Sequence, residues 1–567
     1  MATASSVPVQ PAQSRRRLRF PATVIVMAFA IGLLVAFLPA DLFDRGLRRM
    51  LIFITGLIAA LLLNFWFLFS SRLSWKIRLS AEALLVGALL AFVLSIRSVE
   101  FTGDMKPIVH FHWSPSTDEL LEAHRAKSAH GATTASASSS NVGWHDFAEY
   151  RGRKRDGVVD GPALARDWTK DPPKLIWRQP VGGGYASFSL TDGRAVTIEQ
   201  RRDREAIVAY DVATGHELWV HDYPALFSER LGGDGPRATP TIADGDVYAL
   251  GATGVLTKLD FASGKPHWTV NILEQNGSKN IDWGMSGSPL ILGDLVIVNP
   301  GAQKGTADSR GLVALSRSDG KIVWRHGTAG ASYSSPMLAR LGDKRQILIF
   351  DAGGLAGHDA EGGAELWRFP WTTQFNINVA QPLVFDARRL LITSATGACL
   401  IELDGSDATW LPQEVWRNRN LKCSYANPVA RQGYVYGLDE GILTCLDVET
   451  GKRKWKSGKG RYGHGQMLLT GDLLLILSEQ GELVLVEASP EGHHELARLQ
   501  AIEGKTWNCP ILVNGRAYIR NHMEMACYDL RPLSERVVSP APDVAATPSA
   551  AAESSADQPA VGAEKSK

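Results

Sequence analysis

Eight stretches of the 567-residue chain place aromatic, cationic or amide side chains a few residues ahead of a short apolar run. They hold Tyr185, Arg237, Trp283, Tyr333, Asn376 with Asn378, Lys422 with Tyr425, His464, and Trp507 with Asn508. Gathered around one concavity, such groups would stack on a flat ligand and pair its carboxylates or hydroxyls, with Lys422 and Arg237 supplying the charge. Filling and solvating a channel would call for the same residue types. His464 stands between glycines in RYGHGQ, where backbone can approach closely, and suits a functional imidazole or a structural one. Glu199, in VTIEQRRDRE, reads as a base or ligand, or as a solvated loop acid; Arg520 and Asn521, in YIRNHMEM, read as channel-facing groups or strand ends. No Ser/His/Asp or paired-carboxylate pattern supports hydrolysis. The five cysteines (Cys399, Cys423, Cys445, Cys509, Cys527) form no CxxC or CxxCH and fall mostly in strand segments, which predicts buried free thiols.

The elements that would position these residues follow from self-similarity. Asp211, Asp260, Ser316, Asp359, Asp404, Asp447, Glu487 and Asp529 recur 40 to 56 residues apart. In most copies a Gly follows four residues later and a Trp eight later, as in DVATGHELW, DFASGKPHW and DVETGKRKW. Upstream comes an x-Pro strand start and apolar alternation, as in TPTIADGDVYAL and SPLILGDLVIV; the first and seventh copies lack the Pro. Each unit reads as four short antiparallel strands, the content of one propeller blade, and the alternation excludes helical repeats of similar period. The last copy lacks its Trp strand, while an orphan strand of that type, KLIWRQP, precedes the first. Trp177 is therefore expected to complete the eighth blade and close the ring. Trp177, Trp219, Trp268, Trp324, Trp367, Trp416 and Trp455 are expected to pack between blades, and the repeated Asp and Gly to form turns.

Three apolar runs, 20–40, 50–69 and 79–96, precede the repeats, with Glu82 the only charge inside them. Each is near the ~20 residues that cross a bilayer as helix. The tail at 1–19 carries Arg15, Arg16, Arg17 and Arg19, and the loop between the second and third runs carries Arg72, Lys76 and Arg78. That bias places the N-terminus in the cytoplasm and everything after Arg97 outside it, although Arg45, Arg48 and Arg49 dilute it. The chain divides into a basic cytoplasmic tail (1–19), a three-span anchor (20–97), a linker and entry segment (98–173) with a low-complexity tether at 132–140, a propeller (174–530) and a disordered Ala/Pro/Ser-rich tail (531–567). With 60 Lys+Arg against 59 Asp+Glu there is no basic field for nucleic acid.

AYDVATGHELW and CLDVETGKRKW resemble the pyrroloquinoline-quinone-like (PQQ-like) propeller repeat, and the resemblance covers about residues 174–530. DFAEYRGRKRDGVV, just upstream, resembles the entry segment of membrane-attached or exported bacterial proteins of this kind. The resemblance implies an all-β eight-bladed propeller behind three transmembrane helices, in the inner membrane with the propeller on the periplasmic side. It implies one of two functions: a binding module for a protein or small polar ligand at the funnel, or a quinoprotein oxidoreductase that uses the quinone with Ca²⁺ to oxidise alcohols or sugars. Members like methanol dehydrogenase stack the quinone on a disulfide between adjacent cysteines, and this chain has no Cys-Cys pair. No run maps onto the calcium or base residues of the enzymes, and the repeat establishes fold rather than activity.

Overall fold

The computed structural model describes residues 13–37, 45–131, 147–306, 308–406 and 409–536. Three helices lead: α1 (Gln13–Ala36), α2 (Arg45–Ser70) and α3 (Trp75–Ser95). The stretches Leu47–Ser70 and Trp75–Ser95 are long and apolar enough to cross a membrane, and the apolar part of α1, Phe20–Ala36, is shorter. Their large apolar side chains, Phe29, Leu61 and Leu84 among them, face outward. Glu82 accepts a hydrogen bond from Asn64 Nδ2 at 2.9 Å, tying α3 to α2. Two of the arginines that weaken the charge bias have local work. Arg48 reaches the Ala36 carbonyl at the C-terminal end of α1 at 3.5 Å, and Arg49 donates to the Asp104 carbonyl at 2.8 Å.

Residues 98–173, read as linker and entry segment, carry regular structure at their start. A hairpin of β1 (Ile96–Phe101) and β2 (Pro107–Phe111) continues directly from α3, and α4 (Thr117–Gly131) follows, bound to the first blade through Arg202 to Glu122 at 2.5 Å and Arg125 to Glu217 at 3.2 Å. Their partners lie far along the chain, so nothing in the local sequence advertised them. The expected tether at 132–140 lies outside the described residues, as do 1–12 and the tail from 537 onward.

Eight four-stranded antiparallel sheets then close a propeller. Blades one to seven span 189–224, 241–271, 290–326, 337–370, 383–418, 429–461 and 466–500. Blade eight joins three strands of 511–529 to β3 (Lys174–Pro180), whose Trp177 lies opposite Cys527, so the strand before the first repeat is the outer strand of the last sheet. This closure is the one the repeat count predicts.

The repeat residues explain one another. Trp177, Trp219, Trp268, Trp416 and Trp455 each donate Nε1–H to a backbone carbonyl of the next blade at 2.8–3.0 Å. The ring lies on the repeat glycine of that blade. A Cβ on Gly264 would come 2.6 Å from Trp219, and one on Gly363 2.5 Å from Trp324, while the φ values of +70° and +76° also favour glycine. The repeat aspartate holds that turn, as when Asp447 Oδ1 accepts from the Thr450 amide at 2.8 Å. Trp367 differs, donating to Gln346 within its own blade at 2.7 Å. All five cysteines are buried free thiols, pushed up to about 11 or 12 by burial.

Candidate functional site

The innermost strands start around one central channel. A belt of hydrogen bonds fixes their level. The Ser187 amide donates to Thr239 Oγ1, Thr239 to Ser288 Oγ, Ser288 to Ser335 Oγ, Ser335 to Gln381 Oε1, Gln381 to Asn427 Oδ1, and Asn427 to Gln466 Oε1, at 2.8–3.2 Å. Five of these residues stand immediately before a Pro. The variable position of the x-Pro start is thus polar because it links neighbouring blades. Cys509 occupies the position in blade eight, where the link becomes the Ser187 hydroxyl donating to the Cys509 carbonyl at 2.5 Å.

Below this belt the entry segment crosses the channel. Arg155 is buried and donates to the carbonyls of Ser288, Pro289 and Pro336 at 2.6–3.0 Å and to Glu149 at 3.0 Å. Arg151, equally buried, donates to the Pro428 and Asp156 carbonyls at 2.9 and 2.8 Å. Tyr150 bonds Asn427 at 2.9 Å and forms the floor of the space above. The EYRGRKR run is therefore a hub between blades three, four, six and seven.

Above the floor is a cavity of ≈230 Å³. Of the residues singled out in the sequence, Tyr185, Arg237, Trp283, Tyr333, Tyr425 and Trp507 line it together. Trp507 lies 5.4 Å from Tyr185 and stacks on Tyr425 at 5.7 Å; Trp283 meets Tyr333 edge-on at 5.9 Å. Arg237 sits over the Tyr185 and Phe227 rings and donates to the Gly233 and Gly235 carbonyls at 2.6 and 2.5 Å. Burial raises the Tyr185 hydroxyl well above its usual range and lowers the Arg237 guanidinium.

The remaining candidates lie elsewhere. Lys422 is buried against Glu440 at 2.6 Å. Asn378 donates to the Asp351 carbonyl and Asn508 to the Ala186 carbonyl, while Asn376 sits exposed in a short turn at φ +55°. Asn521 donates to the Glu503 carbonyl. Glu199 is neither a loop acid nor at the mouth. It is fully buried, pairs with Arg201 at 2.6 Å and accepts from Tyr210 at 3.1 Å. Arg520 is equally buried and donates to Thr197 Oγ1 and the Gly182 carbonyl at 2.6 and 2.8 Å, locking blade eight to blade one. The buried ones among them satisfy backbone or charge within and between blades, and none lines this cavity.

His464 is at the mouth but covered, because the turn of the β1–β2 hairpin enters the funnel. Thr102, Gly103 and Met105 line the cavity from above. A Cβ on Gly103 would fall 2.1 Å from the His464 ring. The Gly103 amide donates to Glu479 Oε1 at 2.6 Å, and Arg461 pairs closely with Asp104. Glu100 faces Lys505 at 3.5 Å, His522 at 3.4 Å and His110 at 3.5 Å. Burial alone would raise the Glu100 carboxyl, but these three bases outweigh it and hold it far below the carboxylate range. Arg461, His464 and Arg49 likewise hold Asp104 below its range against burial. Lys505, over the Trp507 ring at 4.6 Å, and Glu479, which accepts from Trp507 Nε1 at 2.9 Å, are site residues the sequence reading missed. The signal for Lys505 was its place two residues before Trp507 in GKTWNCP.

A family model described as outer membrane protein assembly factor BamB matches residues 203–457. The factor of that name from Salmonella typhimurium is 24% identical over 292 residues, 49% of this chain and 69% of that protein. A quinone alcohol dehydrogenase subunit from Komagataeibacter europaeus is 32% identical over 134 residues, 23% of this chain and 18% of that one. Among solved structures, quinohemoprotein alcohol dehydrogenase from Comamonas testosteroni shares the fold, with a TM-score of 0.51 at 14% identity, covering 72% of this chain and 84% of that one. The chain carries PQQ-like repeats over the matched residues and shares the propeller fold.

Within this PQQ-like propeller, the cavity does not suit the quinone–Ca²⁺ pair. Its lining contains no carboxylate to hold a hard cation, and Arg237, the one cation in the lining, is already bonded to two carbonyls. Among the described residues no group of three or more His, Cys, Asp and Glu side chains is arranged to hold a metal ion. What the lining can do is stack on rings, take apolar side chains, and offer hydroxyls and carbonyls at its edge.

Proposed function

We propose that this PQQ-like propeller is a protein-binding module held at the bacterial inner membrane by its three N-terminal helices, with the N-terminus in the cytoplasm and the propeller on the periplasmic side. The observation that carries the reading is that the aromatic mouth already seats a stretch of polypeptide, Thr102 to Met105. A surface that seats a backbone turn on His464, Glu479 and Arg461 at the rim of a cavity lined by Trp283, Tyr333 and Trp507 has the chemistry of a peptide receptor. The similarity to outer membrane assembly factors points the same way. Outward-facing apolar side chains on α2 and α3, with Asn64 and Glu82 satisfying each other between them, support spans in lipid.

The test is a photo-cross-linking amino acid at Trp283 in the full chain, expressed in its membrane. Adducts to an extracytoplasmic protein, lost when the cross-linker is moved to the outer strand of blade five, are expected. Purified protein given the quinone and Ca²⁺ should show neither fluorescence quenching nor dye reduction with alcohols or sugars; stoichiometric quenching with turnover would replace this reading by the oxidoreductase one. A reporter fused after Arg97 should be active only outside the cytoplasm.

A further inference from the structure

The hairpin in the mouth is held differently from everything else in the channel. Its turn closes through the Met105 amide to the Thr102 carbonyl at 2.9 Å, which leaves Met105 at φ +59°, a left-handed conformation unfavourable for a non-glycine residue. Glu100, its principal acid, meets three bases, yet no contact is shorter than 3.4 Å, and its Oε2 is buried without a hydrogen bond. Lys505, buried beneath the hairpin, also touches the Phe101 carbonyl only at 3.3 Å. Asp104 is held more closely by Arg461. The propeller thus presents two cations, Lys505 beside His522 and Arg461 beside His464, spaced to meet two acids four residues apart. The aromatic lining lies between them. Arg461 also donates to the Glu440 carbonyl at 3.0 Å, and Lys505 lies over the Tyr185 and Trp507 rings, so both cations are held in place by the propeller. They complement an acidic turn and are engaged by one that belongs to the same chain but not to the propeller.

We propose that the β1–β2 hairpin is a displaceable plug, and that the partner segment it stands in for is an acidic polypeptide turn carrying two carboxylates about four residues apart. The inference rests on reading the propeller as a protein-binding module and specifies what that module binds. The incoming turn takes over Lys505 and Arg461 and presses its apolar residues onto Trp507 and Trp283. Because the plug is tethered, its effective concentration at the mouth is of millimolar order, so a free competitor binds weakly until the plug is loosened.

The test uses the full chain in detergent micelles and a fluorescent peptide with the sequence of residues 96–111. Against wild type the peptide should bind weakly. Against Glu100→Gln/Asp104→Asn, which discharges the plug and leaves the mouth intact, it should bind roughly tenfold or more tighter. Adding Lys505→Met and Arg461→Met to that variant should abolish the gain, and a peptide with Gln and Asn in place of its acids should bind no variant well. A second readout needs no substitution: in wild type, peptide at saturating concentration should speed hydrogen exchange at 98–111 without changing that of the blades. Equal affinity for wild type and the discharged variant, equal binding of the neutral peptide, or unchanged exchange at saturation would each overturn the plug. Displacement by the peptide with no adduct from Trp283 in cells would keep the plug and reject the protein-partner reading; adducts without displacement would do the reverse.

Discussion

Two segments from outside the propeller enter its channel, one at each end, and they are secured by different physics. The floor segment, 147–160, is bolted by buried guanidinium groups to backbone carbonyls of four blades and by bridges from Phe147 to Leu190 and from Val158 to Leu469. Losing the segment would strip the buried Ser288, Pro336 and Pro428 carbonyls of these donors, while Pro289 would keep the Thr241 hydroxyl at 2.6 Å. The mouth segment, 96–111, is held chiefly through charged side chains, with Glu100 contacts of 3.4–3.5 Å to groups that water or another anion could satisfy. Depth and bond type thus separate a part of the architecture from an exchangeable occupant, though both are short polar stretches lodged in one channel.

The sharpest way to break this contrast is at the floor. Arg155→Met should destabilise the propeller by about 4 kcal/mol, because the Ser288 and Pro336 carbonyls and Glu149 lose a donor at once and Pro289 loses one of its two. Chemical denaturation of the purified protein measures it; a loss below about 1 kcal/mol would place the floor in the same class as the plug. Next in size, Gly363→Ala should cost about 2 kcal/mol, since the new Cβ would strike Trp324 at a backbone angle that alanine resists. An unchanged melting curve would show that the blade seam can repack.

Acid should separate the two ends. Glu100 and Asp104 are both depressed below their ordinary values of 4.5 and 3.8. Their pairing therefore stabilises the docked plug fully above those values and is lost as pH falls through the depressed ones. Hydrogen exchange should find 98–111 docked at neutral pH and released on acidification before the blades lose protection; simultaneous loss would contradict the contrast. Smallest in stability, Trp283→Ala should change unfolding by no more than about 1 kcal/mol, because its ring is only half-buried, yet should remove partner capture. Those two measurements moving together would make Trp283 a packing residue.

What the sequence makes readable here is whatever repeats. The Asp, Gly and Trp positions announce blades because each copy solves the same packing problem. The orphan KLIWRQP strand closes the ring because its missing counterpart is visible at the other end. Tyr185, Arg237, Trp283, Tyr333, Tyr425 and Trp507 could be grouped because residues ahead of equivalent strands converge on one funnel. The same logic misplaces Lys422, Asn378 and Asn508. Equivalent positions can point inward along the channel or sideways to a neighbouring blade, and one sequence does not distinguish the two. Glu199 and Arg520 mislead in another way: polar types suggested exposure, whereas each is compensated by partners, Tyr210 eleven and Thr197 323 residues away. The plug lies furthest from view. Its defining contact joins Gly103 to Glu479 across 376 residues, and nothing in TGDM marks it as the content of a funnel.

Ring closure by β3 also has a mechanical side. The strand that clasps the last blade is the one that follows the N-terminal helices, the hairpin and the floor segment in chain order. A pull on those helices meets the salt-bridged hairpin first, then α4 on the first blade and the arginine-bolted floor, and the clasp last. The clasp itself, paired antiparallel from Lys174–Asp529 to Pro180–Glu524, would be loaded only after these upstream attachments had yielded. The connectivity makes the mouth the weakest link in the series, so tension could open the funnel while the ring stays shut.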